Sequence, residues 1–407
     1  MVPLQVDIQT ISPLYVPIEL KTGVDRSSPQ YLNFQRLIDD EFESAKFSYF
    51  LDTTTDYESI EKDSWDNRLF IWEDKELDQE LEIHVFPNNI GIVVIKHTFE
   101  YVGDTKALEK TVQKKATQQI KKVYAAFLEY LQLVCARQYG DYFQLNLITT
   151  DEPQIFWNSR SISIDSQNLN LPLFQKLTNE WLAHTFRPDD AQDIVTGRIS
   201  YSMTWLNYVI VDLNEVDDER LDCMILAQYY YTAQENCNKL LKQAVDIAYN
   251  GSNTNQAQHC LSRSRVITRL HQVDFHEHVK YMTRTKRDIL EEILACWDYV
   301  QITSSGQLMI EICSSKIDET ENAKRERGSV ITDLLLVALS FFTVFELSLY
   351  LTELSREMMS RPALDFNDEN PSFMLQFIAE IDADVMFGSG FLLTMLLVFV
   401  YKINKSK

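Results

Sequence analysis

The sequence is poor in glycine and contains none of the glycine-rich loops that bind phosphate groups. Only 10 of its 407 residues are glycine, and neither G-x-G-x-x-G nor G-x-x-x-x-G-K-S/T occurs. It also lacks G-x-S-x-G, and its 7 histidines are scattered along the chain. Without a recognisable nucleophile beside a base, the sequence predicts that the protein is not an enzyme.

Positive charge is also scarce. Lys and Arg total 38 against 60 Asp and Glu, a net charge of -22, which argues against DNA or RNA as a partner of the surface as a whole. The 6 cysteines include no C-x-x-C pair, so we expect buried thiols in a reducing compartment. The first residues, MVPLQVDIQT, have neither the basic nor the apolar part of a signal peptide, so none is predicted.

Two long apolar runs lie near the C-terminus of this acidic chain. In residues 330–352 the only charged side chains are Asp333 and Glu346, and residues 385–401 carry no charge at all. As a helix the first run would extend about 34 Å, enough to cross a hydrocarbon core of about 30 Å, and the second is at the lower limit of length. Buried core helices are the alternative, but two such runs favour two membrane spans.

The basic residues that flank these runs predict their orientation. Three precede the first run and three follow the second, whereas the connecting loop, residues 354–384, holds only Arg356 and Arg361. By the positive-inside rule, both termini are cytoplasmic and the loop lies outside. We therefore expect a protein of the inner (plasma) membrane, with a cytosolic body and a C-terminal transmembrane hairpin. The six flanking residues are Lys324, Arg325, Arg327, Lys402, Lys405 and Lys407.

Helical spacing places Thr332, Thr343, Glu346, Tyr350 and Glu353 within one sector of about 80°, with Asp333 and Ser340 at or beyond one edge of it. Acidic side chains in a span are costly against lipid, so they should face protein or water. A pore between several copies would provide such surroundings. In the alternative, Asp333 lies in the cytoplasmic interface and Glu346 forms one hydrogen bond to the second helix. The predicted pore-lining residues are Thr332, Asp333, Ser340, Thr343, Glu346 and Tyr350.

The loop between the runs is acidic and would concentrate cations at the mouth of an oligomeric pore. An ordinary solvated loop is the alternative. Gly388 and Gly390, on either side of Ser389, predict a small-residue face for close packing of the second helix. The acids expected to attract cations are Asp365, Asp368, Glu369, Asp382 and Asp384.

The region before residue 215 shows alternating strand and helix signals. LEIHVFPNNIGIVVIKHTF, residues 81–99, predicts a β-hairpin around PNN. Residues 104–138 and the segment LPLFQKLTNEWLAHTF have helical patterns, and further strands are predicted within 142–149 and 195–213. The pattern is that of a mixed α/β domain.

The region after residue 215 is helical by pattern. One long helix is predicted over 219–249, and a second pattern runs from about Asn255 towards the first apolar run as a stalk. ITSSGQ, residues 302–307, is the weak point of this stalk, where a kink or a hairpin of YVQIT and LMIEI could form.

HQVDFHEH, residues 271–278, places metal-ligating residue types on the predicted stalk. His271, Asp274 and His278 stand at i, i+3 and i+7. Imidazole and carboxylate groups bind divalent ions, so these three residues are a candidate metal site. A charged, solvated helix face is the alternative.

The order of these parts resembles a known family. A cytosolic α/β body, a charged helix end (ENAKRER) that passes into an apolar span, and a second span with a short lysine-bearing tail are similar to the CorA metal ion transporter superfamily. The resemblance implies a funnel-shaped homopentamer whose first membrane helix lines a pore for a divalent, magnesium-like cation. The family's Gly-Met-Asn tripeptide at the outer end of that helix is absent from FELSLYLTELSREMMS, so the chain resembles a divergent member.

The expected fold is an α+β cytosolic domain with a long helical stalk and two C-terminal transmembrane helices. Three functions remain open. The first is a CorA-like oligomeric channel that passes cations and is gated by the cytosolic domain. The second is a ligand-activated, membrane-permeabilising effector of a bacterial antiviral or CRISPR-associated system, with a small nucleotide as ligand. The third is a non-conducting membrane-anchored scaffold. The expected segments are a body (1–215), stalk (216–328), first span (329–353), outer loop (354–384), second span (385–402) and cytoplasmic tail (403–407).

Overall fold

The structure is a computed structural model with an α+β architecture, as the sequence predicts. It contains one mixed sheet and a long helical region, and it divides into two compact units, Met1–Ser314 and Ser315–Lys407. The described residues are 4–20, 45–47, 68–73, 81–136, 143–145, 152–183, 189–203, 206–211, 216–250, 254–360 and 373–405.

Nine strands of the described residues form a single sheet. The strands are β1 (Leu4–Leu20), β2 (Ala45–Phe47), β3 (Phe70–Glu73), β4 (Leu81–Phe86), β5 (Asn88–Tyr101), β6 (Phe143–Leu145), β7 (Ser159–Ile164), β8 (Tyr201–Met203) and β9 (Asn207–Val211). Their order is β2-β3-β4-β5-β1-β7-β9-β8, with β6 paired to β1. Strands β7 and β9 run parallel, and the other pairings are antiparallel.

Helices cover the sheet in the first unit and make up nearly all the described residues of the second. They are α1 (Thr105–Ala136), α2 (Pro172–Trp181), α3 (Asp190–Val195), α4 (Val216–Asn250), α5 (Thr254–Tyr281), α6 (Arg284–Cys296), α7 (Tyr299–Ser360), α8 (Phe373–Glu380) and α9 (Ala383–Lys405). The predicted helices over 104–138 and 219–249 correspond to α1 and α4. The strands predicted within 195–213 correspond to β8 and β9, which follow the end of α3.

The hairpin predicted over 81–99 is confirmed, and its second strand lies at the centre of the sheet. β5 pairs with β4 on one side and with β1 on the other, from Leu4 opposite Tyr101 to Tyr15 opposite Ile90. Val93 and Ile95 pack in the cluster that includes Phe127 of α1, whereas Ile92 packs in the cluster formed with α4 and α6. Because helices cover both faces of residues 90–95, this part of β5 reads as a continuous apolar run, whereas exposed and buried residues alternate from Lys96 to Tyr101.

Gly91 of β5 permits a close approach of neighbouring side chains. A Cβ at this position would lie 2.4 Å from Cγ2 of Val16, closer than carbon atoms can approach. The β1–β5 register also shifts between Tyr15 and Glu19, next to this contact. Glycine is therefore required by the packing of β1 against β5 and not by a turn.

The predicted stalk is helical, but it consists of three helices and not one. α5 ends at Tyr281 and α6 begins at Arg284, with the Thr283 side chain accepting a hydrogen bond from the backbone N–H of Lys286 at 3.3 Å as its N-cap. A second break precedes α7, where Asp298 adopts a φ of 51°. Helical periodicity continues across such short breaks, so the sequence pattern alone does not reveal them.

The alternative of a break at 302–307 is wrong, because α7 passes through ITSSGQ without interruption. A Cβ on Gly306 would lie 2.6 Å from Oδ1 of Asn238 and 2.7 Å from Nε2 of Gln234, both on α4. Asn238 also donates a hydrogen bond to the carbonyl of Ile302 at 2.9 Å. Gly306 therefore serves helix packing, which offsets its low helix propensity.

A buried group of charges joins the sheet to the helices of the first unit. Arg68 donates hydrogen bonds to Asp222 of α4 and, at 2.9 Å, to Nδ1 of His84 on β4. The ammonium of Lys286 on α6 lies 3.6 Å from the second oxygen of Asp222. Burial raises the pKa of Asp222, but the charges of Arg68 and Lys286 outweigh burial and hold that pKa below its ordinary value. Burial lowers the pKa of His84, so its ring is a neutral acceptor at pH 7.

We expect Asp222→Asn to destabilise the protein by about 3 kcal/mol, because it removes the carboxylate that pairs with both Arg68 and Lys286. The loss should be largest near neutral pH and should begin to shrink below about pH 4, where the carboxylate of the unfolded chain takes up a proton. It should vanish once the pH falls below the lowered pKa of Asp222 in the folded protein. Urea unfolding followed by tryptophan fluorescence measures this difference. Asp288→Asn is the matched control, because its side chain is 66% exposed and pairs with the 95% exposed Arg284. Equal stability of the two variants would contradict the role of Asp222.

Candidate functional site

The C-terminal half of α7 presents a large apolar surface. Within the described residues, α7 is the one helix long and apolar enough to cross a membrane, and none of its most apolar window is buried. The α9 segment Asp384–Leu396 is apolar but shorter. Exposed apolar area of this size marks a membrane or interaction surface in a folded protein. The large exposed residues are Val330, Ile331, Leu334, Leu335, Leu336, Leu339, Phe342, Leu347, Leu349, Tyr350 and Leu351.

Aromatic rings pack α7 against α9 in the second unit. Phe345 and Phe387 meet edge to face with their ring centroids 5.2 Å apart, and Phe341 contacts Phe387 and Phe391 at 6.2 and 6.0 Å. Such pairs contribute about 0.5–1.5 kcal/mol each beyond their buried area. This cluster fixes which side of α7 faces α9.

Gly390 and not Gly388 provides the close contact between these helices. A Cβ on Gly390 would lie 3.2 Å from Cγ1 of Val344 and 3.5 Å from Oγ of Ser348, whereas a Cβ on Gly388 would meet no atom within 4 Å. Two residues are separated by about 200° around a helix, so the two glycines cannot share one face. The predicted close packing of the second helix is therefore confirmed at Gly390 but not at Gly388.

Hydroxyl groups follow the α9 side of α7 and are satisfied within the helix. Ser348, Thr352 and Ser355, at i, i+4 and i+7, donate to the carbonyls four residues earlier at 2.8, 2.7 and 2.7 Å. Thr352 and Ser355 are buried, and Ser348 contacts Gly390. Thr394 of α9 is buried as well and donates to the carbonyl of Gly390 at 2.9 Å. This first polar face of α7 carries no charge.

A second polar face of α7, defined by Thr343, Glu346 and Tyr350, is turned away from α9. All three side chains are exposed, and the helical spacing places Glu346 about 160° from Ser348. Thr343 donates to the carbonyl of Leu339 at 2.8 Å. Within the part of the chain that the structure describes, Glu346 has no hydrogen-bond or ion-pair partner. No hydrogen bond therefore joins Glu346 to the described side chains of the second apolar helix, and the position of Glu346 in a pore stays a prediction.

Of the other predicted pore-lining residues, Thr332 lies on the same side of α7, whereas helical spacing places Ser340 and Asp333 about 120° and 140° from Glu346, beyond the edge of this face. Thr332 and Ser340 are exposed, and Thr332 donates to the carbonyl of Gly328 at 3.0 Å. Asp333 is half-buried. Because the threonine hydroxyls are satisfied by backbone carbonyls, Glu346 is the member of this face that most needs a polar environment.

The predicted acidic mouth is described only in part. Asp382 and Asp384 are exposed at the start of α9, where the carbonyl of Asp382 accepts from Val385 and Met386 at 3.0 and 3.1 Å. Asp384 lies in the first turn, so the helix dipole also favours its charge. Asp365, Asp368 and Glu369 lie outside the described residues.

The histidine segment of α5 is packed against α4 on one side, and Asp274, His276 and Glu277 are exposed on the other, as the alternative of a solvated face predicts. His271 and His278 are buried, and the Tyr230 hydroxyl forms a hydrogen bond with Nδ1 of His278. Burial lowers the pKa of His271 to about 4, so it is neutral at pH 7. Asp274 is exposed, and no group of three His, Cys, Asp or Glu side chains in the described ranges is arranged to hold a metal ion. The histidines serve packing, and the predicted metal site is not assembled.

Comparison with protein-family models, curated proteins and solved structures gives no match for this chain. The resemblance to the CorA superfamily therefore rests on the order of the segments and on the residues quoted for it, and it stays a prediction.

We expect Gly390→Leu to weaken the packing of α9 on α7 and to lower stability by about 1–3 kcal/mol, because the added side chain meets Val344 and Ser348. Gly388→Leu is the matched control, since its Cβ enters open space two residues away. Thermal unfolding of the purified full-length variants measures the difference. A midpoint for Gly390→Leu that equals that of Gly388→Leu would show that the close contact is unimportant.

Proposed function

We propose that the protein is an oligomeric, CorA-like membrane channel for cations, with Glu346 facing the pore. The observation that carries this proposal is the position of Glu346, which is exposed on the face of α7 opposite its contact with α9. A carboxylate in this position would be costly against lipid and stable beside water.

Two membrane helices fit the proposal. The apolar half of α7 is uncovered, and α9 contains the uncharged run 385–401, which extends about 26 Å and is at the lower limit of length for a hydrocarbon core of about 30 Å. Lys324 and Arg325 precede the apolar half of α7, and Lys402 and Lys405 end α9. By the positive-inside rule, these flanks favour cytoplasmic termini in the inner membrane.

An oligomer follows from the number of helices available. One pair of helices cannot enclose a pore, so the faces of Glu346 from several copies must meet around a shared axis. The contact with α9 uses the opposite side of α7 and leaves this face available to other copies. The resemblance to CorA favours a pentamer, and gating by the first unit is part of the same proposal.

The proposed preference for cations over anions follows from the acidic residues along the pore. A ring of Glu346 carboxylates attracts cations and repels anions. Asp382 and Asp384, exposed at the start of α9, would add negative potential at the outer mouth. Without Gly-Met-Asn, side-chain carboxylates and not a backbone filter would provide the discrimination.

We expect Glu346→Gln to lower cation flux about tenfold, equivalent to about 1.4 kcal/mol in the barrier. Flux of K⁺ and Mg²⁺ into liposomes that contain the full-length protein and an ion indicator measures this effect. Glu346→Asp keeps the charge and should retain most of the flux. Glu357→Gln, an exposed acid beyond the apolar run, should leave it unchanged. Equal flux in Glu346→Gln and Glu357→Gln would remove Glu346 from the pore, and absence of flux in every variant would favour the non-conducting scaffold.

Native mass spectrometry of the detergent-solubilised protein tests the oligomer separately. We expect a closed ring, with a pentamer as the specific prediction, because only a ring satisfies the Glu346 carboxylate of every copy. A monomer at micromolar concentration in mild detergent would contradict the channel.

A further inference from the structure

A cavity between α4 and α5 in the first unit has the dimensions of a small-molecule site. Its volume is about 400 Å³. Asn88 and Asn89, beside the turn between β4 and β5, line part of it. Sites for small organic ligands span about 300–1,000 Å³ and combine apolar walls with a few polar groups. The cavity lies outside the apolar helices that carry the proposed channel.

The walls of this cavity are largely aliphatic. Ile90 of β5, Leu240 and Ile247 of α4, and Ile267 of α5 line it. Leu240 and Ile247 remain 42% and 39% exposed, although they lie between two packed helices. A bound apolar group would remove this surface from water at about 25 cal/mol for each Å² covered.

The charge at the rim favours an anion. Arg263 of α5 is exposed there, and no hydrogen bond or ion pair joins it to another residue that the structure describes. The residues that line the cavity include no Asp or Glu, although the chain carries a net charge of -22. A guanidinium without a competing carboxylate is suited to bind phosphate, sulfonate or carboxylate groups.

Amide side chains provide the remaining polar groups. Asn88, Asn236 and Gln243 line the cavity, and each amide can both donate and accept hydrogen bonds. Asn88 is held by its donation to the Tyr229 hydroxyl at 3.2 Å, and the positive φ of 58° at Asn89 shapes the turn beside it. The site can therefore recognise a ligand with both an apolar ring and polar edges.

We propose that this cavity binds a small organic anion with an aromatic or aliphatic ring, whose negative group pairs with Arg263 while its ring packs on Leu240 and Ile247. The proposal concerns binding by the first unit and is independent of ion conduction. Its failure would leave the channel proposal unaffected.

The test compares two probes on the detergent-solubilised full-length protein, 1-naphthyl phosphate and neutral 1-naphthol, by isothermal titration calorimetry. We expect the phosphate to bind more tightly, and Arg263→Gln to weaken its binding about tenfold without a change for 1-naphthol. Arg269→Gln is the matched control, because Arg269 is exposed on the same helix but does not line the cavity. Absence of phosphate binding at millimolar concentration, or equal binding by the two arginine variants, would overturn the proposal.

Alkylation of Cys260 locates the probe. Cys260 lines the cavity and is half-buried. Burial raises the pKa of the neighbouring Cys237 to about 11, so that thiol stays protonated and reacts slowly at pH 7.5. We expect 1-naphthyl phosphate to slow alkylation of Cys260 by N-ethylmaleimide, measured by peptide mass spectrometry. Ile247→Trp, which fills the cavity, should abolish both binding and protection. Protection that persists in Ile247→Trp would place the probe elsewhere and overturn the assignment.

Discussion

The long pairing of β1 with β5 determines the arrangement of the first unit. Both faces of β5 are buried from Ile90 to Ile95, so the backbone donors and acceptors there must be satisfied by neighbouring strands. β4 provides one neighbour through a tight hairpin, and β1 provides the other from the start of the chain. Only Val102, Gly103 and Asp104 separate β5 from α1, and Gly103 has a φ of 99°. The same pairing fixes Asn88 and Asn89 at the start of β5, where both line the cavity.

Two polar faces with different chemistry distinguish α7 in the second unit. The face of Ser348, Thr352 and Ser355 has small, neutral groups whose hydroxyls are satisfied by the helix itself, so it can pack closely against α9. The face of Thr343, Glu346 and Tyr350 includes a charge, which an apolar neighbour cannot accommodate. One side of the helix is therefore suited to close packing against α9. The opposite side, which carries the charge, needs polar surroundings.

Elements with strong local signals were predictable from the sequence. The hairpin at 81–99 and the helices over 104–138 and 219–249 have clear turns or periodicity, and the structure contains them. β1 was not recognisable, because Thr10 and Ser12 interrupt its apolar pattern and Pro13 lowers strand propensity. Both hydroxyl residues are nevertheless buried, with Ser12 bonded to Asn158 at 2.5 Å, a partner 146 positions away. Such a contact depends on the tertiary structure.

The same distinction applies to the candidate sites. The Glu346 face follows from helical spacing alone, since α7 is continuous there. The histidines of α5 gave a misleading signal, because Tyr230 of α4 determines their burial and no local pattern reports on a distant helix. The role of Gly306 was also hidden, because glycine predicts a break unless its packing partners on α4 are known.

The hydroxyl hydrogen bonds along α7 have a mechanical consequence. A carbonyl that accepts from a side chain four residues later shares its lone pairs with the backbone N–H, which lengthens the backbone bond and lets the helix axis curve. Thr343, Ser348, Thr352 and Ser355 concentrate these shared acceptors within a few turns around Glu346. Bending at this place would change the inclination of the carboxylate without unfolding any turn, so this part of α7 is more compliant than an all-leucine helix of equal length.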